Sequence, residues 1–346
     1  MKKTYFILAV IFSVALAITY AVFINKEYEA NGFAMGTLIS QKIYGIASRK
    51  AANEAFEKIK YLECLMTINA PGGDINRLNE NAGKGYIKLN PETISVLKSA
   101  LIISRLSGGA FDITVAPVVK EWGIGSVSPR IPPKKTLIRL GSLIGYKNVY
   151  IDEKNQGAAL AGAGQMVDLG GIAKGYAADA VIQIYRRNGI RSGLINIGGN
   201  VATLGTRPDG TPWRIGIQDP RARHGKILGV VRVSDQAVVT SGDYEKYFMK
   251  NGKRYHHIIN PRSGRPAESG LISVTIVAAS STEADALATA VFILGSDKGM
   301  SLLKRYGRAE AILITANKKL YITPGLKKDF EFMNNGSKEY EYVEKR

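Results

Sequence analysis

The sequence has little of the residue types that most often build reactive or metal-binding sites. Among 346 residues there are one cysteine, Cys64, three histidines and two tryptophans. A single thiol cannot form an intramolecular disulfide, and a zinc or iron–sulfur site made of cysteines is excluded within one chain. The sequence also has no Gly-x-Ser-x-Gly motif, P-loop or Gly-x-Gly-x-x-Gly fingerprint. Acyl transfer and the standard nucleotide-binding motifs therefore have no candidate residues.

Acidic residues are scarce relative to basic ones. The chain has 47 Lys and Arg against 29 Asp and Glu, a formal net charge of +18. Such a charge favours anionic ligands and surfaces. However, the sequence has no basic run interleaved with aromatic residues and no helix-turn-helix or zinc-finger spacing, so we expect no nucleic-acid partner.

Charged residues are absent from residues 5–24, directly after Lys2 and Lys3. A helix of that length spans about 30 Å, the thickness of a bilayer core. We predict a signal or membrane anchor over residues 1–26, and favour an uncleaved anchor because the apolar stretch is longer than the core of a cleaved signal. With Lys2 and Lys3 left in the cytoplasm, the rest of the chain is expected to be exported, anchored at the inner membrane and facing the periplasm or the cell exterior.

Helical and strand patterns alternate along the rest of the chain. Helical spacing of apolar residues occurs at 51–66, 91–106, 172–187 and 283–294, and strand patterns at 165–169, 193–197, 230–239, 271–278 and 311–315. This mixture predicts an α/β or α+β fold, with a β-α-β unit over residues 165–197. We expect one domain over residues 27–330, in which the Pro- and Ser-rich stretch 123–135 could separate two lobes, and a charged tail over residues 331–346.

A glycine-rich segment, Asp-Leu-Gly-Gly-Ile-Ala-Lys-Gly-Tyr-Ala, runs from Asp168 to Ala177 and lies where a predicted strand turns into a helix. Glycines let backbone N–H groups approach an anion, and a helix N-terminus adds a favourable partial charge. The pattern is therefore typical of a phosphate-binding turn. A tight turn with Lys174 in solvent fits the same spacing.

Two oxygen-bearing side chains, Asp285 and Thr289, are four residues apart on a predicted helix whose start carries the capping pair Ser280 and Glu283. A carboxylate and a hydroxyl on one helix face suit Mg²⁺, with carbonyl, water and phosphate oxygens completing its shell. Alternatively, Asp285 only complements the helix dipole and Thr289 bonds back to the preceding turn.

Two of the three histidines, His256 and His257, are adjacent and precede a turn rich in Pro and Gly. A neutral imidazole can accept a hydroxyl proton near pH 7, so either is a candidate general base. Neighbouring side chains cannot both face one site. A surface pair ending a strand is the alternative.

Taken in order, these clusters resemble the ApbE family of FAD:protein FMN transferases, which move FMN from FAD onto a hydroxyl of another protein. The resemblance covers about residues 30 to 325. The matching blocks are Met-Gly-Thr at 35–37, Gly-Ala-Phe-Asp at 109–112, the segment at 168–177, Asn-Ile-Gly-Gly-Asn at 196–200, the block at 213–220, Thr-Ser-Gly-Asp-Tyr at 240–244, the block at 257–266 and Ala-Asp-Ala-Leu-Ala-Thr at 284–289. One block alone is unspecific, but eight in sequence are very specific.

The resemblance implies roles for individual residues. It places Mg²⁺ on the Gly171 carbonyl, Asp285 and Thr289, and His257 at the reacting centre. It implies that the binding site for FAD, the substrate, is lined by Met35, Ala110, Phe111, Asp112, Asp168, Lys174 and Ile259. It also implies a T-fold-like arrangement of sheets and helices around a deep flavin cleft. The chain departs from many relatives at Asn69, where they have a tyrosine that packs on the flavin, and an amide cannot stack in this way.

The implied reaction is Mg²⁺-dependent transfer of FMN to a Ser or Thr hydroxyl of an acceptor protein through a phosphoester bond, with release of AMP. For an exported, tethered enzyme we expect a membrane-associated redox subunit as the acceptor. An FAD pyrophosphatase that uses water at the same site, or a non-catalytic FAD-binding protein, would show the same motifs.

Overall fold

The structure is a computed structural model that describes residues 5–6, 12, 26–222, 225–333 and 340–343. The anchor predicted over residues 1–26 lies outside the described residues, apart from positions 5, 6, 12 and 26. Within the described part of the chain, one helix, Ser281–Tyr306, is long and apolar enough to cross a membrane. Because 56% of its most apolar stretch is buried in the protein, it has the character of a core helix.

A nine-stranded sheet forms the centre of the fold, with the strand order β1-β2-β6-β7-β10-β15-β16-β17-β19. Neighbouring strands are antiparallel, except that β17 and β19 run parallel. The strands are β1 (Glu27–Ala34), β2 (Thr37–Tyr44), β6 (Ser192–Ile197), β7 (Asn200–Leu204), β10 (Ala237–Gly242), β15 (Leu271–Ala278), β16 (Ala309–Thr315), β17 (Lys319–Ile322) and β19 (Glu341–Val343).

Both faces of this sheet are covered. Along β15, Val274 and Ile276 join the larger core beneath the helices, whereas Ile272 and Val277 join a second core. That second core lies against a three-stranded sheet of β8 (Trp213–Gln218), β9 (Ile227–Val233) and β18 (Phe330–Phe332). All eight residues of β15 are buried, as expected for a strand covered on both faces.

Seven α-helices are present among the described residues. They are α1 (Ser48–Met66), α2 (Asp74–Glu80), α3 (Pro91–Leu106), α4 (Ala116–Trp122), α5 (Lys134–Gly141), α6 (Ala173–Arg187) and α7 (Ser281–Tyr306). The remaining strands are β3 (Ile87–Lys88), β4 (Val149–Asp152) and β5 (Gly157–Leu160) in one small sheet, and the hairpins β11 (Tyr247–Lys250) with β12 (Lys253–His256) and β13 (Ile259–Asn260) with β14 (Arg265–Pro266).

The mixed α/β class and the helices predicted near 51–66, 91–106 and 172–187 are confirmed. The single strand predicted over 230–239 is wrong: a turn divides it into β9 and β10, with Asp235 in the left-handed region at a φ of 53°. The helix predicted over 283–294 is confirmed, since the backbone leaves helical geometry at Gly295, with a φ of 80° and a ψ of 178°, and a second helical stretch then continues to Tyr306.

The β-α-β unit predicted over residues 165–197 is also wrong. Residues 165–169 have no regular secondary structure and belong to no sheet. Their N–H groups are satisfied elsewhere, since the Val167 N–H donates to Asn79 Oδ1 at 2.7 Å and the Asp168 N–H donates to the Ile113 carbonyl at 2.8 Å. A segment without ladder partners can turn sharply into α6, and it places the glycine-rich turn beside α7.

Candidate active site

The start of α6 packs unusually closely on the start of α7. A Cβ atom added to Gly175 would lie 2.2 Å from the Ser281 carbonyl oxygen and 2.8 Å from the Asp285 Cβ. The Gly175 N–H donates to Asp285 Oδ2 at 3.0 Å. The absence of a side chain at position 175 therefore lets the helix N-terminus reach the carboxylate of the facing helix.

We expect Gly175→Ala to destabilise the protein. The added methyl group would overlap a backbone carbonyl that cannot rotate away, and overpacking of this kind costs about 1–3 kcal/mol or more. Urea unfolding measures the loss. The matched control is Gly141→Ala, because no atom lies within 4 Å of an added Cβ there and its backbone is outside the left-handed region. Equal losses in the two variants would contradict close packing at Gly175.

Three oxygen groups converge beside this contact. Thr289 Oγ1 lies 3.4 Å from the Asp285 carbonyl oxygen and 3.5 Å from Ser241 Oγ. A Cβ added to Gly171 would lie 3.5 Å from Thr289 Oγ1, so the glycine turn reaches the same point. Gly171 and Thr289 are therefore close to one another, and Thr289 bonds back to the Asp285 backbone carbonyl, as the alternative interpretation of this pair also expects. That these three residues hold Mg²⁺ stays a prediction. Ser241, from the end of β10, is an additional member of the oxygen cluster.

The donors at this point fit Mg²⁺. A carboxylate, a hydroxyl and a backbone carbonyl are the hard oxygen ligands that Mg²⁺ takes, and it commonly keeps water and substrate phosphate oxygens in its shell. No group of three or more His, Cys, Asp or Glu side chains that could hold a metal occurs among the described residues. A softer, nitrogen- or sulfur-rich metal site is therefore not formed there.

Positive charge surrounds the oxygen cluster. Lys174 Nζ lies 3.7 Å from Asp285 Oδ1. Burial raises the pKa of Asp168, and the Gly170 N–H, which donates to its Oδ1 at 2.8 Å, opposes that rise together with the nearby charges of Lys246 and Lys174. Two ammonium groups thus face one region of the turn, where an anionic ligand would be stabilised.

The two histidines have different environments. His256 is buried, its Nδ1 accepts from the Ile258 N–H at 3.3 Å, and its Nε2 lies 3.0 Å from the Ala267 carbonyl oxygen. An imidazole that accepts at Nδ1 and donates at Nε2 is neutral and fully engaged. Burial lowers the pKa of His256, in keeping with this state. The ring also packs edge-on against Phe292. His256 therefore has a structural role, since it links β12 to Ala267 and Phe292.

His257 has one ring nitrogen free for chemistry. Its Nδ1 lies 3.3 Å from the Lys246 carbonyl oxygen, which also accepts the His257 backbone N–H at 3.0 Å. With its proton on Nδ1, the ring presents Nε2 as an acceptor. Burial, followed by the charges of His256, Lys174 and Lys246, lowers the pKa of His257 to about 3. Lys174, one of the charges that lower this pKa, also pairs with Asp285 at 3.7 Å.

The other residues implied by the resemblance surround this region in two groups. Phe111 is buried and its ring would lie 3.1 Å from a Cβ at Gly171. The next residue, Asp112, caps a short 3₁₀ helix (Ile113–Val115) by accepting from the Thr114 N–H and hydroxyl. Its Oδ2 accepts the Tyr146 N–H at 2.9 Å, and burial raises its pKa. Asp112 therefore fixes the backbone that carries Phe111 and the buried Ala110.

Met35 and Ile259 pack in different places. Met35 forms the β1–β2 turn, has a φ of 51° and packs half-buried against the larger core. Ile259 is buried in a small cluster with Trp122 and Leu137. Asn69, in the loop after α1, is exposed and donates its N–H to Thr67 Oγ1.

Sequence reasoning did not single out Ser241 or Lys246. Ser241 lies within the matching block at 240–244, and Lys246 lies two residues after it. Their roles depend on contacts with Thr289 and His257, which are 48 and 11 residues away. Only a pairing between distant segments could have revealed them.

A cavity of about 310 Å³ lies apart from these groups. It is lined by Arg221, Asp243, Arg254, His256 and their neighbours, and the Asp243 carboxylate accepts from both guanidinium groups. His256 lines this cavity, whereas the adjacent His257 belongs to the site with Lys174. The chemistry described above therefore lies in a separate region.

Comparison with known proteins gives a consistent result. The family model described as "ApbE family" matches residues 35–313. An FAD:protein FMN transferase of Klebsiella pneumoniae is 33% identical over 312 residues, covering 90% of this chain and 96% of the relative. The crystal structure of an ApbE protein from Thermotoga maritima matches with a TM-score of 0.82 and 32% identity, covering 88% of this chain and 99% of that one. A flavin transferase ApbE from Vibrio cholerae matches with a TM-score of 0.80 and 27% identity, with the same coverage. This chain belongs to the ApbE family.

Proposed function

We propose that this protein transfers FMN from FAD to an acceptor protein. The activity named for its relatives supports this reaction. The observation that carries the proposal is the contact of the glycine turn with Asp285 and Thr289, where Lys174 Nζ lies 3.7 Å from the Asp285 carboxylate. A proton acceptor, a lysine and an oxygen cluster that can hold Mg²⁺ are what transfer of a phosphoryl-linked group to a hydroxyl requires.

The chemical step breaks one bond of the FAD diphosphate. A Ser or Thr hydroxyl oxygen of the acceptor forms a bond to the phosphorus on the riboflavin side, and the bond from that phosphorus to the bridging oxygen breaks. The hydroxyl proton passes to Nε2 of His257, and AMP leaves with the bridging oxygen. The product is FMN joined to the acceptor by a phosphoester.

The chain's own residues position the diphosphate. The N-terminus of α6 and the glycine turn at 170–171 offer backbone N–H groups, and Lys174 and Lys246 supply positive charge. Gly171, Asp285 and Thr289 would hold Mg²⁺. When bound, Mg²⁺ supplies charge stabilisation at the phosphate oxygens. The Lys246 carbonyl keeps the imidazole of His257 in the tautomer that accepts a proton at Nε2.

We also propose where the protein works. The uncharged segment at 5–24 after Lys2 and Lys3 supports export and tethering at the inner membrane, with the domain facing the periplasm or cell exterior. A membrane-associated redox subunit with an exposed Ser or Thr fits such a location. A fusion of alkaline phosphatase to the C-terminus tests the topology, because that enzyme is active only after export.

A covalent-flavin assay tests the reaction. The full chain is incubated with FAD, Mg²⁺ and a candidate acceptor, and the denatured acceptor is then examined for in-gel flavin fluorescence and for the mass of FMN. Attached flavin with stoichiometric AMP supports the transferase. AMP with free FMN only would indicate the pyrophosphatase, and intact bound FAD without AMP would indicate a binding protein. An acceptor with its Ser or Thr changed to Ala is the control.

The pH dependence follows from the sign of the His257 shift. The base is active when neutral, so activity is lost as pH falls through its pKa, which is about 3 in the free protein. Bound diphosphate is negative and favours the imidazolium, which raises the pKa. We therefore expect the acid limb of kcat/KM to lie below pH 5 and that of kcat at higher pH. An acid limb of kcat/KM near 6.5, the ordinary value for histidine, would contradict the burial of this ring.

A further inference from the structure

The side-chain amide of Asn200, the first residue of β7, is buried without a partner. Asn200 is 2% exposed, and its Nδ2 makes no hydrogen bond to any described residue. Buried amide groups are nearly always hydrogen-bonded, and leaving a donor unsatisfied costs about 1–3 kcal/mol. The unpaired Nδ2 of Asn200 therefore indicates a hydrogen-bonding partner that the described chain does not supply.

The strand register places this amide beside the oxygen cluster. Asn200 pairs directly with Ile197, whose side chain belongs to the core beneath the helices, and paired residues point to the same face. In the next strand, Ala202 pairs with Ala237 and Val201 with Val238, so continuation of this register brings Asn200 next to Val239. Ser241 follows two residues later on the same face and contacts Thr289.

The other side of Asn200 adjoins the β1–β2 turn. A Cβ added to Gly198 would lie 2.3 Å from Thr37 Oγ1, and the Gly198 N–H donates to the Leu38 carbonyl at 3.0 Å. The Gly198–Gly199 turn is thus pressed against the turn that contains Met35. Asn200 lies between this turn and the oxygen cluster, on the side of the sheet that faces the helices.

We propose that Asn200 is a substrate-binding residue, whose Nδ2 donates a hydrogen bond to an oxygen of bound FAD. This inference rests on the proposed function, because FAD is the ligand. The amide nitrogen can only donate, so its partner is an acceptor. FAD offers acceptor oxygens in its diphosphate, in the carbonyls of the flavin ring and in its ribityl and ribose hydroxyls. A donor located between Ser241 and Met35 is open to the oxygens of either half of FAD.

The test compares Asn200→Leu with the unchanged full chain. Leucine has a similar volume and no polar atom, so the FAD-free protein is expected to melt at the same or a higher temperature. The Kd for FAD, measured from flavin fluorescence in the presence of Mg²⁺, is expected to rise about tenfold, the effect of one neutral hydrogen bond. Titrations with riboflavin and ADP identify the half of FAD that is bound, since only the half that accepts the hydrogen bond loses affinity.

Trp213→Phe is the matched control. Trp213 Nε1 is also buried without a partner, but Trp213 belongs to the second core on the opposite face of the sheet. This variant should bind FAD unchanged. Unaltered FAD affinity in Asn200→Leu, or a lower melting temperature of its FAD-free form, would overturn the role of Asn200. Failure of the unchanged protein to bind FAD would instead contradict the proposed function.

Discussion

His257→Ala is expected to lose FMN transfer while retaining FAD. Removal of a general base lowers kcat by about 10²- to 10⁴-fold, because the attacking hydroxyl then keeps its proton. The ring is held at Nδ1 by a backbone carbonyl and contributes Nε2, so its removal leaves the oxygen cluster intact. Transfer is measured as protein-bound flavin per minute, and binding from flavin fluorescence.

The neighbouring histidine supplies the control. In His256→Gln the amide nitrogen occupies the position of Nε2 and can still donate to the Ala267 carbonyl, and His257 is unchanged. We expect this variant to have a lower melting temperature, owing to the lost contact with Phe292, with kcat close to that of the unchanged protein at temperatures where it is folded. Full transfer by His257→Ala, or loss of FAD binding as large as the loss of kcat, would remove His257 from the proton-transfer step.

The second large effect is expected for Asp285→Asn. An asparagine retains an oxygen that can accept the Gly175 N–H, so the packing of the two helices is kept. It lacks the charge that attracts a divalent cation, and it leaves Lys174 without its partner at 3.7 Å. Loss of metal assistance is worth several kcal/mol, roughly 10²-fold or more in turnover. Initial rates over a range of Mg²⁺ concentrations measure the loss.

The result should appear as a shifted Mg²⁺ dependence, with EDTA abolishing transfer in the unchanged protein. Asp179→Asn is the control, because Asp179 accepts the N–H groups of Ser281 and Thr282 at the start of the same helix but lies outside the cluster. It should lower the melting temperature and leave the Mg²⁺ dependence unaltered. Full activity of either the unchanged protein or Asp285→Asn in EDTA would refute a metal-dependent step.

The sequence predicted local features well where one segment decides the structure. The capping residue Ser280, for example, accepts the Glu283 N–H as its spacing suggests. The paired positions of Asp285 and Thr289 followed from helical periodicity alone. The choice between His256 and His257 could not be made locally, because it depends on carbonyl groups of Ala267 and Lys246 that other segments supply.

Residues 165–169 show a second limit of prediction from local sequence. Their alternation is typical of a strand, but their hydrogen-bonding partners are the Asn79 side chain and the Ile113 carbonyl, which no propensity scale anticipates. Likewise, Asp235 introduces a left-handed turn within a valine-rich stretch that is typical of one strand. Tertiary hydrogen bonding and backbone geometry overrode the local pattern in both cases.

The contact from Gly175 to Asp285 has a consequence for how the protein folds during its synthesis. It joins positions 110 residues apart, and the Trp122 indole donates to a carbonyl 142 residues later. Contacts between such distant positions form late and slow the formation of the native structure. A nascent chain released before position 289 therefore carries the glycine turn but no ligand-binding centre, so truncated products of synthesis should be inert towards flavin rather than partly active.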